Sequence, residues 1–437
     1  MSKKVLIQTF GCQMNEYDTE LIRSILMKVG YVFVEDELSA DIVMLNTCAV
    51  RENAHRKVYG RIHEIRHNRK KKDGGSVMIG ILGCMATNLR TDLLEDKNLK
   101  IDFIAGPDSY KRLPDLIRPT SAEFENKPFD VTLSEFETYS DIYPSRKNRV
   151  NAWIAVMRGC NNFCTFCVVP YTRGRERSRS PENVVEEAKK LADEGFKQIT
   201  LLGQNVNSYN YEKYDFAYLM EQVSKVNGIE RIRFTSPHPK DFPEKFLELM
   251  AHNPKICKQI HLPLQSGNSR VLDMMERTYS QKEFLHLVDK IRKYCPTIAL
   301  STDIIIGFPT ETDEEFEDTY KVMKEVKFDS AYIFKYSERQ NTIAARKFPD
   351  DVSEESKTER IVRLNVLQKD ISLRKNEAHV GEIHNILIEE IDTEHVRGRT
   401  DGNKLVTLPS QNYALGDFVK TKITYGSPYS LKGVPST

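Results

Sequence analysis

The sequence predicts an α/β protein with three parts: a parallel α/β domain, a partial (β/α)6 barrel and a small C-terminal β-barrel. Three observations lead to this fold class. Apolar runs of strand length alternate with helical patterns near the N-terminus, and six strand–helix units follow in the middle of the chain. From His379 onward, short alternating runs are separated by Gly and Asp-Gly turns. Strand–helix alternation is typical of parallel sheets, and short runs between turn residues are typical of small antiparallel barrels.

Length and composition are those of an ordinary globular protein. The chain has 437 residues, of which 40% are hydrophobic and 29% charged, enough for two or three domains. No apolar run has the length of a transmembrane helix, and the N-terminus lacks the apolar core of a signal peptide. We therefore expect a cytoplasmic protein with no membrane partner, in which the eight cysteines are reduced. Because the net charge is only +1, a nucleic acid would be bound by local basic patches.

In the N-terminal region, each of three predicted strands is followed by a cysteine. The strands are expected at residues 4–9, 42–46 and 77–82, with helices at 19–29 and 52–69. Because the carboxyl ends of parallel strands lie on one edge of a sheet, Cys12, Cys48 and Cys84 are expected to converge. Together they would hold a metal cluster with one iron left free. The alternative is that each cysteine is a small buried hydrophobe.

The central region has the pattern of an open barrel. Strands are expected at residues 152–157, 198–202, 231–235, 259–263, 298–306 and 330–336. Helices are expected at residues 181–195, 216–225, 243–252, 281–293 and 313–326. Six units are too few for a complete eight-fold barrel, so we expect a partial barrel with its functional loops at the carboxyl ends of the strands.

The first barrel strand leads into a loop that reads G-C-N-N-F-C-T-F-C. Cys160, Cys164 and Cys167 are separated by three residues and then by two. Three thiolates at this spacing, with no histidine nearby, suit three irons of a cubane iron–sulfur cluster better than one tetrahedral zinc ion. The fourth iron would then be open to a small chelating ligand. A structural zinc site is the alternative interpretation.

An arginine-rich segment follows this loop directly, and its four arginines occupy alternate positions: Arg173, Arg175, Arg177 and Arg179. Guanidinium groups bind phosphate and carboxylate through paired hydrogen bonds, so this segment is expected to bind substrate. An ordinary solvated loop is the alternative.

The C-terminal region begins with a charged helical connector at residues 352–378. Strands of a small barrel are then expected at residues 383–391, 395–399, 405–408 and 418–425. Small five-stranded barrels of the OB type often bind nucleic acid, although a simple capping domain is also consistent with the pattern. We expect domain boundaries at residues 1–120, with a linker to about 147, and at 148–375 and 376–437.

Taken together, these segments resemble the radical S-adenosylmethionine (SAM) methylthiotransferases over essentially the whole chain. That family combines an N-terminal methylthiotransferase domain, a radical SAM domain and a C-terminal TRAM domain. The motifs that carry the resemblance are T-F-G-C-Q-M-N at 9–15, N-T-C-A-V-R-E at 46–52, G-C-M-A at 83–86, R-G-C-N-N-F-C-T-F-C-V-V-P-Y-T-R-G-R-E at 158–176, L-G-Q-N-V-N-S-Y at 202–209, L-P-L-Q-S-G at 262–267 and I-I-G-F-P-T-E-T at 305–312. Residues 337–342 depart from the family, in which a Pro-Gly pair often precedes Thr342.

The resemblance implies two [4Fe–4S] clusters and SAM as cofactors. Cys160, Cys164 and Cys167 would ligate the cluster whose open iron chelates SAM, and reduction of that cluster would yield a 5′-deoxyadenosyl radical. The expected SAM contacts are Phe166, Gln204, Ser236 and Gln265. No side chain is expected to act as a catalytic acid or base, because the chemistry would be carried by the clusters.

Cys12, Cys48 and Cys84 would ligate the auxiliary cluster that presents the sulfur. The branch of the family that this chain most resembles methylthiolates carbon 2 of N(6)-dimethylallyladenosine at position 37 of tRNA. The expected partners are a tRNA anticodon stem-loop, held by the TRAM domain and the arginine-rich segment, and a flavodoxin-type electron donor. We expect a monomer. Alternative functions are methylthiolation of threonylcarbamoyladenosine in tRNA or of a ribosomal-protein aspartate, and RNA binding by a non-catalytic metal-cluster protein.

Overall fold

In the computed structural model, the chain folds as two compact units. The described residues are 3–49, 52–71, 75–118, 128–146 and 150–436. The first unit contains the described residues before 147 together with residues 157–179 and 339–343, and the second contains the others. Parallel α/β sheets and a closed five-stranded barrel confirm the predicted fold class. Within the described residues, no helix combines the length and the apolarity needed to cross a bilayer.

The first unit is built on a parallel sheet with strand order β2-β1-β3-β4-β5-β6. Its strands are β1 (Lys4–Phe10), β2 (Val32–Phe33), β3 (Ile42–Thr47), β4 (Met78–Gly83), β5 (Phe103–Ala105) and β6 (Phe129–Asp130). The helices between them are α1 (Gln13–Lys28), α2 (Glu52–Lys71), α3 (Cys84–Asn88), α4 (Arg90–Glu95) and α5 (Leu113–Leu116). Helix α1 begins six residues earlier than predicted, because Cys12 caps it directly after the first strand.

The core of this unit forms where α2 packs on the sheet. Val58, Ile62 and Ile65 lie at helical spacing on one side of α2 and are fully buried. They belong to one apolar cluster with Val43 of β3 and Ile81 of β4. This packing fixes the strands whose carboxyl ends precede Cys48 and Cys84.

The segment expected to be a linker packs within the first unit where it is described. It supplies β6 and the fully buried ring of Tyr139. The Tyr139 hydroxyl donates to Pro107 O at 2.9 Å and accepts the N–H of Tyr110 at 3.0 Å. Ser134 donates its N–H to the buried carboxylate of Asp108 at 3.0 Å. The three domain boundaries themselves stay predictions.

A short stretch of chain carries the cysteine loop and the arginine-rich segment. Its elements are β7 (Asn151–Ala155), β8 (Met157–Arg158), α6 (Val169–Arg173) and β9 (Arg177–Ser178). The antiparallel pair β8–β9 closes the loop, since Arg158 is paired with Arg177.

The second unit contains the partial barrel, as two parallel three-stranded sheets ordered β13-β10-β7 and β14-β15-β16. Its further strands, which include the small β11–β12 hairpin, are β10 (Gln198–Leu202), β11 (Asn210–Tyr211), β12 (Tyr214–Asp215), β13 (Arg231–Phe234), β14 (Gln259–His261), β15 (Ala299–Ile306) and β16 (Ser330–Lys335). A parallel bridge between Ile232 and Ile256 connects β13 to the residues that lead into β14. The six parallel strands are those that the sequence predicts.

Helices separate the barrel strands, and their first turns follow the predicted capping chemistry. The helices are α7 (Pro181–Asp193), α8 (Phe216–Ser224), α9 (Glu244–His252), α10 (Ser269–Met274), α11 (Gln281–Tyr294), α12 (Asp313–Val326), α13 (Ile343–Lys347) and the connector α14 (Glu354–Glu377). Ser180 caps α7 by accepting the Asn183 N–H. Capping boxes form at Ser280 of α11 and Thr312 of α12.

The C-terminal residues form a closed barrel ordered β17-β18-β19-β21-β20. Its strands are β17 (Ile383–Ile391), β18 (His395–Arg399), β19 (Leu405–Pro409), β20 (Phe418–Gly426) and β21 (Leu431–Pro435). The sequence predicts the first four, and β21 completes the barrel by pairing with both β19 and β20. Closure leaves no unpaired sheet edge.

Two arginines of β13 attach this small barrel to the partial barrel. Arg233 donates to Thr400 O at 2.8 Å and to Asp401 O at 2.9 Å. Arg231 donates to Arg399 O at 2.7 Å and also to Asn385 O. Both guanidinium groups are buried, so their backbone partners lie where water has little access.

We predict that Arg233→Met weakens the attachment of the C-terminal barrel. The substitution leaves the Thr400 and Asp401 carbonyls without these donors, which costs about 1–3 kcal/mol for each buried group left unsatisfied. Hydrogen exchange should increase in residues 395–409, and the unfolding temperature should fall. The control is Arg397→Met in the same barrel, where a half-exposed guanidinium pairs with Glu390 and should contribute at most about 1 kcal/mol. Equal effects of the two substitutions would contradict the prediction.

Candidate metal centre

The structure brings together the three cysteines that follow the N-terminal strands. Cys12 caps α1, Cys48 follows β3, and Cys84 opens α3 directly after β4. The Cys48 thiol donates a hydrogen bond to the Cys12 sulfur, and Cys12 and Cys84 both interact electrostatically with Arg173. The predicted convergence at one sheet edge is therefore present in the fold, and the assignment of these residues as ligands stays a prediction.

A buried pair of asparagines holds two of the cysteine segments in place. Asn15 accepts the Cys12 N–H at 3.3 Å and donates to Asn46 Oδ1 at 3.1 Å. Asn46 in turn donates to Asn15 O at 2.8 Å. A side chain at Gly11 or Gly83 would collide with these amides, since an added Cβ would lie 2.3 Å from Asn15 Oδ1 and 2.6 Å from Asn46 Oδ1, respectively.

The thiols of this group differ in how easily they ionise. The hydrogen bond from Cys48 is the largest cause that lowers the pKa of Cys12, to about 6, against the opposing effect of burial. Burial raises the pKa of Cys84, although the charge of Arg173 opposes that shift. A thiolate is the form that binds iron, so the positive surroundings of Cys12 favour a metal ligand.

The second cysteine group lies in a loop that is closed by a tight backbone contact. Gly159 has φ +79°, and a Cβ at this position would lie 2.0 Å from Arg175 O. The Cys160 N–H donates to Gly174 O at 3.1 Å, and the Cys167 N–H donates to Cys164 O at 2.9 Å. Burial raises the pKa of Cys160 to about 12, with smaller contributions from Cys167 and Cys164. A bound metal would reverse this preference, because coordination deprotonates a thiol.

Both cysteine groups fit an iron–sulfur cluster better than a single ion. Among the described residues, neither triplet is a group whose three ligand atoms all lie within 4.8 Å of one another. A single tetrahedral zinc ion with three thiolate ligands needs their sulfur atoms roughly 3.8 Å apart, from zinc–sulfur bonds of about 2.3 Å. A cluster binds each thiolate through a different iron and therefore tolerates the wider spacing.

The arginine-rich segment corrects part of the sequence interpretation. Arg173, Arg177 and Arg179 were expected to contact RNA, but their side chains are buried and have partners within the protein. Arg177 donates to Asp108 at 3.0 Å, and Arg179 donates to the Tyr17 hydroxyl at 3.2 Å. Only Arg175 of the four is exposed, and its guanidinium lies 4.3 Å from the centre of the Phe163 ring. The alternation therefore reflects three inward side chains rather than a phosphate-binding face.

Asp18 of α1 is the centre of the buried charges. Its carboxylate accepts hydrogen bonds from Arg158 Nη2 at 2.5 Å and from Arg173 Nη2 at 2.7 Å. The Tyr110 hydroxyl also donates to it, at 3.3 Å. Arg158 stacks over the ring of Tyr139, with its Cζ 4.6 Å from the ring centre. One carboxylate thus compensates two cations that lie on the segment carrying the second cysteine group.

Arg173 connects the two cysteine groups. Its Nε donates to Cys84 Sγ at 3.1 Å, and it lies six residues after Cys167. Within the described part of the chain, the buried Arg173 Nη1 has no hydrogen-bond partner. Buried donors are rarely left unpaired, so this position suits an additional negatively charged acceptor beside Cys84. In addition, Cys84 packs against Val168, the residue that follows Cys167, and against Ala49.

The residues expected to contact SAM belong to both units. Phe166 lies in the first unit, half-buried, and its carbonyl is 3.5 Å from Arg339 Nη1. Gln204 and Ser236 follow the neighbouring strands β10 and β13 of the second unit, and Gln265 follows β14. The Gln204 Oε1 atom is buried without a partner among the described residues.

The backbone at two of these positions has an uncommon conformation. Ser236 has φ +58° and Gln265 has φ +67°, in the left-handed region that non-glycine residues seldom adopt. Such conformations cluster at ligand sites. They are consistent with a binding role at the strand ends, which stays a prediction.

Sequence reasoning missed Asp18, Asp108, Arg158 and the two asparagines. A signal was present for the asparagines, since Asn15 lies three residues after Cys12 and Asn46 two residues before Cys48. Asp18 gave none, because an acidic residue inside an amphipathic helix is ordinarily solvated.

Comparison with known protein families agrees with this architecture. The Radical SAM superfamily matches residues 154–323, the uncharacterized protein family UPF0004 matches residues 4–106, and the TRAM domain matches residues 377–435. The radical SAM methyltransferase TsrM from Kitasatospora setae has a similar fold, with a TM-score of 0.59 at 16% identity, over 79% of this chain and 74% of TsrM. Fold and site therefore define a radical SAM enzyme, the class that uses SAM and an iron–sulfur cluster.

Two curated relatives are similar over nearly the whole chain. The tRNA-2-methylthio-N(6)-dimethylallyladenosine synthase of Phocaeicola vulgatus is 44% identical over 99% of this chain and 96% of its own length. The enzyme of the same name from Prosthecochloris aestuarii is 44% identical, over 99% of this chain and 98% of its own length. The chain belongs to the tRNA-2-methylthio-N(6)-dimethylallyladenosine synthase family.

We predict that Asp18→Asn destabilises the first unit. The substitution leaves Arg158 and Arg173 buried without their shared counter-charge, and breaking a buried pair typically costs about 3–5 kcal/mol. Chemical denaturation of the metal-free chain should report a lower free energy of unfolding. The control is Asp115→Asn, because the Asp115 side chain is 71% exposed and pairs with Arg118, whose side chain is equally exposed. An unchanged free energy of unfolding for Asp18→Asn would exclude the proposed charge balance.

Proposed function

We propose that this protein methylthiolates carbon 2 of N(6)-dimethylallyladenosine at position 37 of tRNA. Family membership supports the proposal, since the relatives carry the name of this activity. The structural observation that carries it is the proximity of two cysteine triplets within one compact unit, with Arg173 hydrogen bonded to Cys84 and Val168 packed on it. A reaction that must both activate a C–H bond and deliver sulfur requires two such centres near each other.

The proposed cofactors are SAM and two [4Fe–4S] clusters, one on each cysteine triplet. When bound, these groups would supply a SAM-derived radical that removes the hydrogen from carbon 2 and a sulfur atom that a second SAM methylates. The C–H bond of an adenine ring is not acidic, so the proposed reaction requires no side-chain base. The protein's own task is to bind, orient and separate the two centres.

The side chains around the triplets perform this task through charge. Arg173 keeps positive charge beside Cys84, and Asp18 holds that guanidinium in a single orientation. The Asn15–Asn46 pair sets the distance between the Cys12 and Cys48 segments. Because these contacts are buried, thermal motion of the ligands is restricted and water is kept out.

The proposal also names the residues that contact SAM and the tRNA. The residues proposed to contact SAM are Phe166, Gln204, Ser236 and Gln265. The buried Gln204 Oε1, which has no partner among the described residues, and the left-handed backbone at Ser236 and Gln265 support this assignment. The tRNA is proposed to contact the C-terminal barrel and Arg175, the exposed arginine of its segment. A flavodoxin-type reductant, a monomeric state and a cytoplasmic location complete the proposal.

The function is tested by anaerobic reconstitution with SAM, a reductant and a prenylated anticodon stem-loop. The expected product is an RNA whose mass rises by one methylthio group replacing one hydrogen. Cys160→Ala should abolish both SAM cleavage and product. Cys84→Ala should still cleave SAM to 5′-deoxyadenosine but form no methylthiolated RNA.

The control for both variants is Cys257→Ala. Cys257 is buried in the second unit, burial raises its pKa to about 12, and it belongs to neither triplet, so activity should be retained. Product on a threonylcarbamoylated stem-loop or on a ribosomal protein, with none on the prenylated RNA, would overturn the substrate assignment. Failure of the wild-type chain to cleave SAM would overturn the enzymatic assignment itself.

We predict that Arg173→Lys lowers the reduction potential of the cluster proposed at Cys12, Cys48 and Cys84. A hydrogen bond to a ligating sulfur stabilises the reduced cluster, and lysine keeps the charge but lacks the planar Nε donor. A potentiometric titration followed by electron paramagnetic resonance measures the shift without any turnover. Arg175→Lys, an exposed change in the same segment, should leave the potential unchanged. A potential that is identical in wild type and Arg173→Lys would refute the role of this hydrogen bond.

A further inference from the structure

A second type of metal-ligand cluster lies where the connector helix meets the C-terminal barrel. His379 follows α14, Glu382 lies in the next turn, and His384 is in β17. Glu382 Oε2 is 2.7 Å from His379 Nδ1 and 2.9 Å from His384 Nε2. The two imidazole rings are in edge contact, with centres 4.9 Å apart. Two histidines thus direct one nitrogen each toward the same carboxylate oxygen.

We propose that His379, Glu382 and His384 bind a divalent transition-metal ion, of which Zn²⁺ is the best match. Two imidazole nitrogens and one carboxylate oxygen form a donor set that zinc commonly takes, with the fourth position left to water. The three ligand atoms lie within 4.8 Å of one another, and no other group of His, Cys, Asp or Glu in the described part of the chain meets that condition. This site is separate from the cysteine centres and is independent of the proposed reaction.

The required geometry is reached by small side-chain movements. Tetrahedral ligands at about 2.0–2.1 Å from a zinc ion lie roughly 3.3 Å from each other. The two nitrogen–oxygen distances, 2.7 and 2.9 Å, must therefore widen by a few tenths of an ångström. The side chains of His379, Glu382 and His384 are 26%, 54% and 24% exposed, so none is locked by packing.

The backbone under the cluster is fixed, so the ligands are held close before any ion arrives. Gly381 has φ +93° and donates its N–H to Ile423 O at 2.8 Å, while Ile423 donates its N–H to Glu382 O at 2.9 Å. Glu382 donates its N–H to His379 O at 3.0 Å, which closes the turn. His384 is paired with Thr421 in the β17–β20 ladder. Preorganisation of this kind reduces the entropy cost of binding.

The surrounding charges permit a cation at this position. Lys404 acts on His379 electrostatically, but its ammonium group is within 2.8 Å of Asp329 Oδ1 and within 2.8 Å of Asn376 Oδ1. The negative charge of Asp329 therefore opposes the repulsion that Lys404 would exert on a bound ion. An ion at this site would join the end of α14 to the first strand of the barrel.

The proposal is tested by zinc binding to the full-length, anaerobically reconstituted protein. Wild type and variants are equilibrated with Zn²⁺, desalted, and analysed for zinc and iron by mass spectrometry. We expect the wild type to retain about one more zinc per chain than His379→Gln or His384→Gln, from one three-ligand site. Iron content should be the same in all samples, because it reports the cysteine centres and shows that the variants are folded.

The matched control is His395→Gln, an exposed histidine of β18 in the same barrel, which should bind zinc like the wild type. A second readout is the unfolding temperature, which zinc should raise in the wild type and in His395→Gln but not in His384→Gln. Equal zinc content in wild type and in both triad variants, with no difference in the thermal shift, would overturn the proposal. If the wild type binds zinc as expected but shows no SAM-dependent activity, only the proposed function is refuted.

Discussion

Asp18 accepts hydrogen bonds from two buried guanidinium groups, Arg158 and Arg173, and the geometry of the candidate centre depends on this charge balance. Without the carboxylate, the segment that carries Cys160, Cys164 and Cys167 would bring two unpaired cations into an apolar interior. With it, Arg173 is directed at Cys84, and positive charge lies where thiolates are needed. A helix residue with no proposed chemical role of its own therefore sets the electrostatic conditions around both cysteine groups.

Much of the architecture could be predicted from local patterns. The barrel strands and the capping boxes at Ser280 and Thr312 follow from period and turn chemistry, which depend on neighbours in sequence. Convergence of the strand-end cysteines follows from the geometry of any parallel sheet. The burial of Arg173 and Arg177 could not be predicted, because their partners Asp18 and Asp108 are more than 60 residues away and carry no pattern of their own. Charged residues are read as exposed until their partners are known.

The burial of Arg173, Arg177 and Arg179 changes which surfaces of this radical SAM enzyme are available to bind its substrate. Three guanidinium groups of the segment are buried and have partners within the protein, so RNA affinity must come from other surfaces. Arg231 and Arg233 use their donors to attach the C-terminal barrel through backbone carbonyls. The buried arginines Arg173, Arg177, Arg179, Arg231 and Arg233 thus serve as internal structural ties. Salt should accordingly affect RNA binding less steeply than in a protein with a continuous basic face.

The packing of residues 128–146 limits where the chain can be truncated or joined to a homologue. Tyr139 is fully buried beneath Arg158, and Ser134 contacts Asp108, the partner of Arg177. A polypeptide cut after residue 146 would separate the Tyr139 ring and the carboxylates of Asp18 and Asp108 from their arginine partners. These partners are Arg158, Arg173 and Arg177. If the N-terminal portion were exchanged between distant homologues, these carboxylates and arginines would come from different proteins and need not fit each other. Chimaeras and truncations should therefore take residues 128–146 from the same parent as the N-terminal sheet and residues 157–179, whatever boundaries a sequence comparison suggests.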